Sequence, residues 1–446
     1  MKTIRARTAA AIALAVAILP RVASAQEFSA PAAIVDGDPL TWQLRDLPPG
    51  TEVEVTLERT SNGSRETAKA VYRVNSDGQI DPCRDAPLSG TYSGVDCSGL
   101  SWSVSSAPTG SVEMPSIALV ATASGQTLAR ADVSLSEPRV REEAIAAFPG
   151  AKLFLPKDAK RPPVVILLGG SEGGDWFGNI MGPKLAARGF AAISLPYYTS
   201  GWSGAGIAGL PTAFRDIPID RLAMVRDWLT ARGDLDAGRI ALHGASKGGE
   251  FALAAATRFD WINAVVAIVP SDVIWEGWGD GAPAGTTSSF SWEGKSLPFV
   301  PYEGMDAVLA GFAQGRGGSF LAPHVEGRRR HPEAVALARI KVETIAAPVF
   351  LAGGDRDTTW PSGQMVRSIA ERRAENCLIT EAHTFADAGH ALSGTGWNAT
   401  GAGRSETAQA DAAAQRKVWP EVIQFLQKYL STGKTNDYSF RPCSTK

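Results

Sequence analysis

Hydrophobic and polar positions follow two different rhythms along this chain. From Ala33 to Ser136 they alternate in short runs, "TWQLRDL", "TEVEVTLERT", "AKAVYRV", "LSWSVSS", "IALVATA" and "LARADVSL". Alternation puts every second side chain on one face, so each run predicts a half-buried strand. Pro-Pro-Gly, Ser-Asn-Gly, Ser-Asp-Gly and Ser-Gly separate the runs and turn the chain back on itself, which predicts a small antiparallel sandwich over 33–136.

After Arg139 the runs become continuously apolar and alternate with helical patterns. "VVILLGG" (164–170), "GFAAISLPYY" (189–198), "RIALHG", "INAVVAIVP" (262–270) and "APVFLAGG" (347–354) read as strands buried on both faces. "IDRLAMVRDWLTARG" (219–233) repeats its apolar residues at helical spacing. This grammar predicts an open α/β sheet over 140–432, with ligands outside the carboxyl ends of its strands. A Gly-, Ser-, Trp- and Pro-rich insert at 271–346 falls between two strands and predicts a cap over the site; 433–446 reads as a tail.

The chain opens "MKTIRARTAAAIALAVAILPRVASA": a basic start, an apolar run from Ala9 to Leu19, and small residues at Ala23-Ser24-Ala25. That is the pattern of a signal peptide over 1–25, too short for a membrane span, so export to the periplasm or medium with no integral membrane segment is expected. Its removal takes four basic residues and no acid, moving the formal charge of −2 to −6 and arguing against nucleic acid as a partner. Four cysteines in an exported chain raise disulfides. Cys83 with Cys97 is the expected pair, Cys377 in an apolar run reads as core, and Cys443 is the remaining candidate.

The chemistry concentrates in "IALHGASKGGEFAL" (240–253), a strand, a turn and a helix around Gly244-Ala245-Ser246-Lys247-Gly248. A serine on so sharp a turn needs neighbours without side chains two residues before and two after, and Gly244 and Gly248 supply them. A serine hydroxyl is a weak nucleophile and needs a base, oriented by an acid, in the chain order Ser, Asp or Glu, His. Of the five histidines, His243 precedes the serine on its strand, His324 and His331 precede the candidate acid, and His383 lies within a strand-like run. His390, in the loop "ADAGHAL", is left as the base. "LAGGDRDTTWPS" offers Asp355 and Asp357, and the spacing Gly354, Asp357, Pro361 favours Asp357.

Attack on a carbonyl develops charge on oxygen, which two backbone donors must hold. The Lys247 amide is one, and the loop Gly169-Gly170-Ser171-Glu172-Gly173-Gly174 offers the other, at Ser171 or Glu172. The Lys247 side chain is assigned to solvent or a surface ion pair, Glu250 to the loop or the helix dipole, and Arg328-Arg329-Arg330 to a solvated charge run. No histidine or cysteine cluster has metal-ligand spacing, "GGSEGG" lacks the Lys-Ser/Thr of a phosphate loop, and no cofactor is expected.

With "VVILLGGSEGG", "IPIDRLAMVRDWL", "IALHGASKGGEFALAAA", "VVAIVPSDVIWEG", "GKSLPFVPY", "GGDRDTTWPS", "AGHAL" and, upstream, "LPPGTEVEVTLE" and "PLSGTYSGVDCSGLSWSV", the chain resembles the acyl-CoA thioesterase and bile acid-CoA:amino acid N-acyltransferase family, as an exported bacterial member. The resemblance implies an α/β-hydrolase catalytic domain preceded by an all-β immunoglobulin-like sandwich, and a triad of Ser246, Asp357 and His390. The amino acid acyltransferases of that family use cysteine where this chain has Ser246, so hydrolysis rather than transfer is implied. The expected function is a serine hydrolase acting on a small-molecule acyl thioester through an acyl-enzyme. An exported carboxylesterase or peptidase of the same fold is the alternative, and a non-catalytic binding protein the reading from another class.

Overall fold

The computed structural model describes residues 26–35, 37–61, 64–108, 116–136, 140–200, 206–316, 318–397 and 406–430. The signal peptide expected at 1–25, the tail at 433–446 and Cys443 lie outside the described residues.

The N-terminal region is β-rich, with two sheets of unequal size. The larger is built on Glu52–Ser61, Ser64–Arg73, Ser116–Ala123 and Gln126–Ser136, paired antiparallel. A two-stranded ribbon, Glu27–Ser29 with Gln43–Arg45, forms the smaller. In "EVEVTLE" the alternation works as read: Val53, Val55 and Leu57 are fully buried while the polar residues between them face outward. Trp42 joins the layers, meeting Phe28 and Tyr72 edge-on, both at 5.9 Å between ring centroids. At the Ser-Gly turn, Ser124 (φ 50°) and Gly125 (φ 77°) both take positive φ, the geometry of a two-residue hairpin matched to strand twist. Cys83 and Cys97 are disulfide-bonded.

The second domain is one eight-stranded sheet. Its strands are β1 (Val140–Ala144), β2 (Lys152–Pro156), β3 (Pro163–Leu168), β4 (Ala191–Ser194), β5 (Asp236–Ala245), β6 (Ile262–Ile268), β7 (Val349–Gly354) and β8 (Thr380–Phe385), in the order β1-β2-β4-β3-β5-β6-β7-β8. From β4 to β8 every neighbouring pair is parallel, and β2 pairs antiparallel on both its edges. The helices are α1 (Trp176–Ala186), α2 (Arg221–Ala231), α3 (Lys247–Ala256), α4 (Met305–Ala313), α5 (Leu321–Arg330), α6 (Pro332–Ala338), α7 (Ser362–Glu375) and α8 (Ala408–Tyr429). The apolar sides of α2, α3 and α7 bury against one face of the sheet, those of α1 and α8 against the other. Two-sided burial explains the unbroken apolar runs: Val164 to Leu168 and Ile240 to Leu242 are essentially inaccessible.

The segment 271–346 carries α4 to α6 and two short strands, Phe290–Trp292 and Lys295–Ser296. Its first half is part of the core, since Val273, Trp275, Phe290 and Val300 are fully buried, whereas α4 buries only Gly311. The two domains are stitched together beside α8. Trp397 and Ala412 enter the core of the N-terminal region, the Trp397 indole donates to the Asp38 carbonyl (2.7 Å), and Arg188 pairs with Asp38 (2.6 Å). A cleft of about 550 Å³ at this junction is lined by Asp96, Cys97, Arg356, Asp387 and Arg416. Ser246, His390 and Asp357 are not among its walls, so the chemistry must be sought elsewhere.

Candidate active site

One residue, Ser246, separates the end of β5 from the start of α3, and it sits at φ 56°, ψ −122°. A side chain in that conformation costs on the order of 1–3 kcal/mol and is held only by its surroundings. Those surroundings are the two glycines. A Cβ on Gly244 would stand 2.0 Å from the Gly248 carbonyl oxygen, and one on Gly248 would stand 2.0 Å from that of Leu168. Backbone atoms cannot yield that far. Gly248→Ala is therefore expected to cut turnover at least about a hundredfold by displacing the serine, a loss that steady-state kinetics on folded protein would register.

His390 and Asp357 leave the carboxyl ends of β8 and β7 and converge on this serine. The His390 Nε2 lies 2.9 Å from Ser246 Oγ, and Nδ1 lies 2.7 Å from Asp357 Oδ2. Asp357 is wholly enclosed, and its other oxygen accepts the amides of Thr359 (2.8 Å) and Trp360 (3.3 Å). Three hydrogen bonds therefore fix the carboxylate, while the Trp360 ring packs edge-on against the imidazole at 5.4 Å. Asp355 turns the other way and pairs with Arg367 (2.8 Å) on α7. The alternatives left by "GGDRD" thus separate in space.

The loop carrying His390 is gripped from below by α8, which sequence reasoning missed. Asp411 accepts the Gly389 amide, and Gln415 both accepts from Gly396 (2.9 Å) and donates to the Ala391 carbonyl (2.7 Å). Burial raises the Asp411 carboxyl above its usual range. Both residues are buried, though nothing in their local sequence marks them out. Gln415→Leu is expected to lower kcat about ten- to a hundredfold with little change in KM, because it loosens the loop that carries His390 rather than a substrate contact. A KM effect alone would contradict that role.

The glycine-rich loop after β3 is pinned at four points. Tyr197 donates to the Gly169 carbonyl (2.5 Å), Gly173 to that of Gly170 (3.3 Å), Ser200 to that of Glu172 (2.6 Å), and Gly174 to that of Tyr198 (2.8 Å). Ser171 is exposed at the rim. Gly170 is the loop residue lying against Ser246, where an added Cβ would be 3.1 Å from Ser246 Cβ. The Lys247 amide opens α3, where no carbonyl of the preceding turn can accept it.

The Lys247 side chain is not at the surface, contrary to the expectation from its charge. Its ammonium is buried, 2.6 Å from Glu250 and 2.8 Å from Ser289 Oγ, over the rings of Phe214 and Phe290. Glu250 also accepts the Trp275 amide (3.1 Å), so it neither orients the loop nor merely faces the helix dipole. Burial lowers the Lys247 pKa and raises that of Glu250, each opposed by its partner. Arg328 likewise leaves the expected charge run to pair with buried Asp272 (2.7 Å), whereas Arg329 and Arg330 pair with Glu326 at the surface. Cys377 is exposed and disulfide-bonded, not core.

The other histidines stand apart from the serine's hydroxyl. His331 pairs with Glu303 (2.7 Å) and His383 with Glu421 (3.2 Å). His243 is sealed within the sheet against Phe177, and His324 among Trp275, Tyr302 and Trp360. Burial lowers their pKa values to about 4 and about 3. Below about pH 6.5 the unfolded chain takes up protons that these folded imidazoles refuse. Stability therefore falls as pH falls, by up to about 1.4 kcal/mol per pH unit for each histidine, until the folded pKa is passed. Denaturant unfolding of His243→Leu between about pH 6 and 4 is expected to show a shallower decline than the parent; an equal slope would contradict the assignment.

Among the described residues, no group of three or more His, Cys, Asp or Glu could hold a metal ion, and no helix is long and apolar enough to cross a membrane. Comparison with known proteins adds two family matches. Residues 38–165 match "Acyl-CoA thioester hydrolase/BAAT N-terminal region", and residues 329–430 match "Dienelactone hydrolase family". Acyl-coenzyme A thioesterase 1 of Rattus norvegicus is 29% identical over 249 residues, covering 52% of this chain and 57% of that protein. Its Homo sapiens namesake is 26% identical over 287 residues, covering 59% and 62%. The chain thus spans roughly six-tenths of the length of these relatives. Among solved structures, a putative dienelactone hydrolase of Klebsiella pneumoniae aligns at 16% identity and TM-score 0.39 over 65% of this chain and 99% of its own. An esterase of Pyrococcus furiosus aligns at 17% and 0.38 over 66% and 92%. Residues 38–165 are thus similar to the N-terminal region of acyl-CoA thioester hydrolases and BAAT, residues 329–430 to dienelactone hydrolases, and the chain as a whole is similar to acyl-CoA thioesterases.

Proposed function

We propose that this protein is a serine hydrolase cleaving acyl thioesters, with Ser246 as nucleophile, His390 as base and Asp357 as the acid that orients it. The observation that carries the reading is the continuous relay of 2.9 Å and 2.7 Å from Ser246 through His390 to Asp357, behind a serine held in strained conformation. His390 Nε2 takes the Oγ proton as Oγ bonds to the acyl carbon, and the charge passes to the former carbonyl oxygen. The C–S bond then breaks and the leaving thiolate takes the proton from His390. Water, deprotonated by the same imidazole, releases the acid and restores Ser246. Asp357 keeps Nδ1 protonated and steadies the imidazolium, which the wholly buried carboxylate is built to do.

The thioester is favoured because the curated relatives are thioesterases. A second reading, an exported carboxylesterase, has its own support. The basic, apolar and small-residue segments at the start of the sequence and the bond between Cys83 and Cys97 fit an oxidising compartment, away from intracellular CoA. Assay of acyl-CoAs of graded chain length beside aryl esters, with Ser246→Ala as control, separates the two. Turnover of acyl-CoA that depends on Ser246 supports the thioesterase; turnover of esters alone retains the mechanism and replaces the substrate.

A further inference from the structure

We infer that the Gly170 amide is the loop's oxyanion donor and that, in the resting protein, the Glu172 carboxylate occupies it as a displaceable stand-in for the oxyanion. This rests on the serine hydrolase reading above. Glu172 Oε1 accepts the Gly170 amide at 2.8 Å, and the carboxylate also accepts the amide of Glu172 itself. Its position is next to the nucleophile: a Cβ on Gly170 would meet Glu172 Oε2 at 2.7 Å and Ser246 Cβ at 3.1 Å. A carboxylate oxygen that accepts a backbone amide of the loop residue lying against Ser246 carries the charge that a tetrahedral intermediate's oxygen would bring to the same donor.

The surrounding structure separates what is fixed from what can move. The loop backbone is clamped by Tyr197, Ser200 and Tyr198 through the bonds described above, so the donors stay in place. The Glu172 residue is solvent-exposed, so its side chain can rotate outward into water without opening the fold. Although the residue as a whole is exposed, its carboxyl is tucked against the loop, and this burial raises its pKa while the amides of Gly170 and Glu172 oppose the rise, so rotation into water relieves a desolvation cost. Substrate and side chain then compete for one donor, and apparent affinity falls by the fraction of molecules in which that donor is already taken.

Phenylboronic acid tests this without turnover. Ser246 Oγ adds to boron, its proton passes to His390, and the resulting tetrahedral boronate presents a negative oxygen to the hole. Glu172→Ala and the conservative Glu172→Gln are expected to bind phenylboronate about tenfold more tightly than the parent, the first by at least as much as the second. A merely structural glutamate would give weaker binding when removed. If the parent forms the adduct on Ser246 and neither variant binds it more tightly, the occupancy is overturned while the hydrolase reading stands. If no adduct forms on Ser246 in any of the three, the hydrolase reading fails and the occupancy with it.

Discussion

Ser246→Ala is expected to lower kcat for the best acyl thioester or ester by about ten-thousand- to a millionfold while leaving the unfolding transition intact. The size of the loss follows from what remains. Without Oγ no acyl-enzyme forms, and only binding and the oxyanion donors are left to favour attack by water. Stability should be preserved or slightly improved, since alanine at φ 56° keeps the backbone strain but removes one hydroxyl from an open site. His390→Ala should fall in the same range and the double variant should be little worse, because residues acting as one unit do not lose activity additively. Additive losses would mean that the 2.9 Å contact between Ser246 and His390 is not used in the reaction.

The largest expected effect on stability lies four residues along the chain. Glu250→Leu leaves the Lys247 ammonium enclosed by Phe214, Phe290 and Ser289 with its countercharge gone. Stranding one member of a buried pair costs about 3–5 kcal/mol, which in a domain of this size is a drop of roughly 5–10 °C in Tm. Lys247→Met combined with Glu250→Leu is expected to recover most of that loss, because no charge is then left in the apolar pocket. Activity should recover less. The pair also ties α3 to the Trp275 amide and Ser289, so the doubly apolar variant keeps its packing but loses the bonds that hold that segment against the nucleophile's helix. Calorimetry of the three variants decides the point, and a Glu250→Leu protein within about 1 kcal/mol of the parent would contradict it.

Much of the chemistry could be read because its requirements are local. Gly244 and Gly248 flank the serine for a steric reason that five consecutive residues express. The strands around them are buried on both faces, and their apolar runs say so. His390 emerged by elimination among five histidines, and Asp357 by its spacing from Gly354 and Pro361. What stayed hidden depends on residues far away in sequence. Lys247 and Glu250 look like surface charges until Trp275 and Ser289 fold over them. The choice between Ser171 and Glu172 in the glycine-rich loop was not legible, since the loop's shape is set by Tyr197 and Ser200 beyond α1. Asp411 and Gln415 gave no signal either, being polar residues on a helix whose task is to hold another loop.

The central claim is that Ser246 is the nucleophile, and covalent trapping tests it most directly. Folded protein treated with a fluorophosphonate and examined by intact-mass and peptide mass spectrometry is expected to gain one adduct, located on Ser246, and Ser246→Ala is expected to gain none. An unlabelled parent, or equal labelling in Ser246→Ala, would contradict the account.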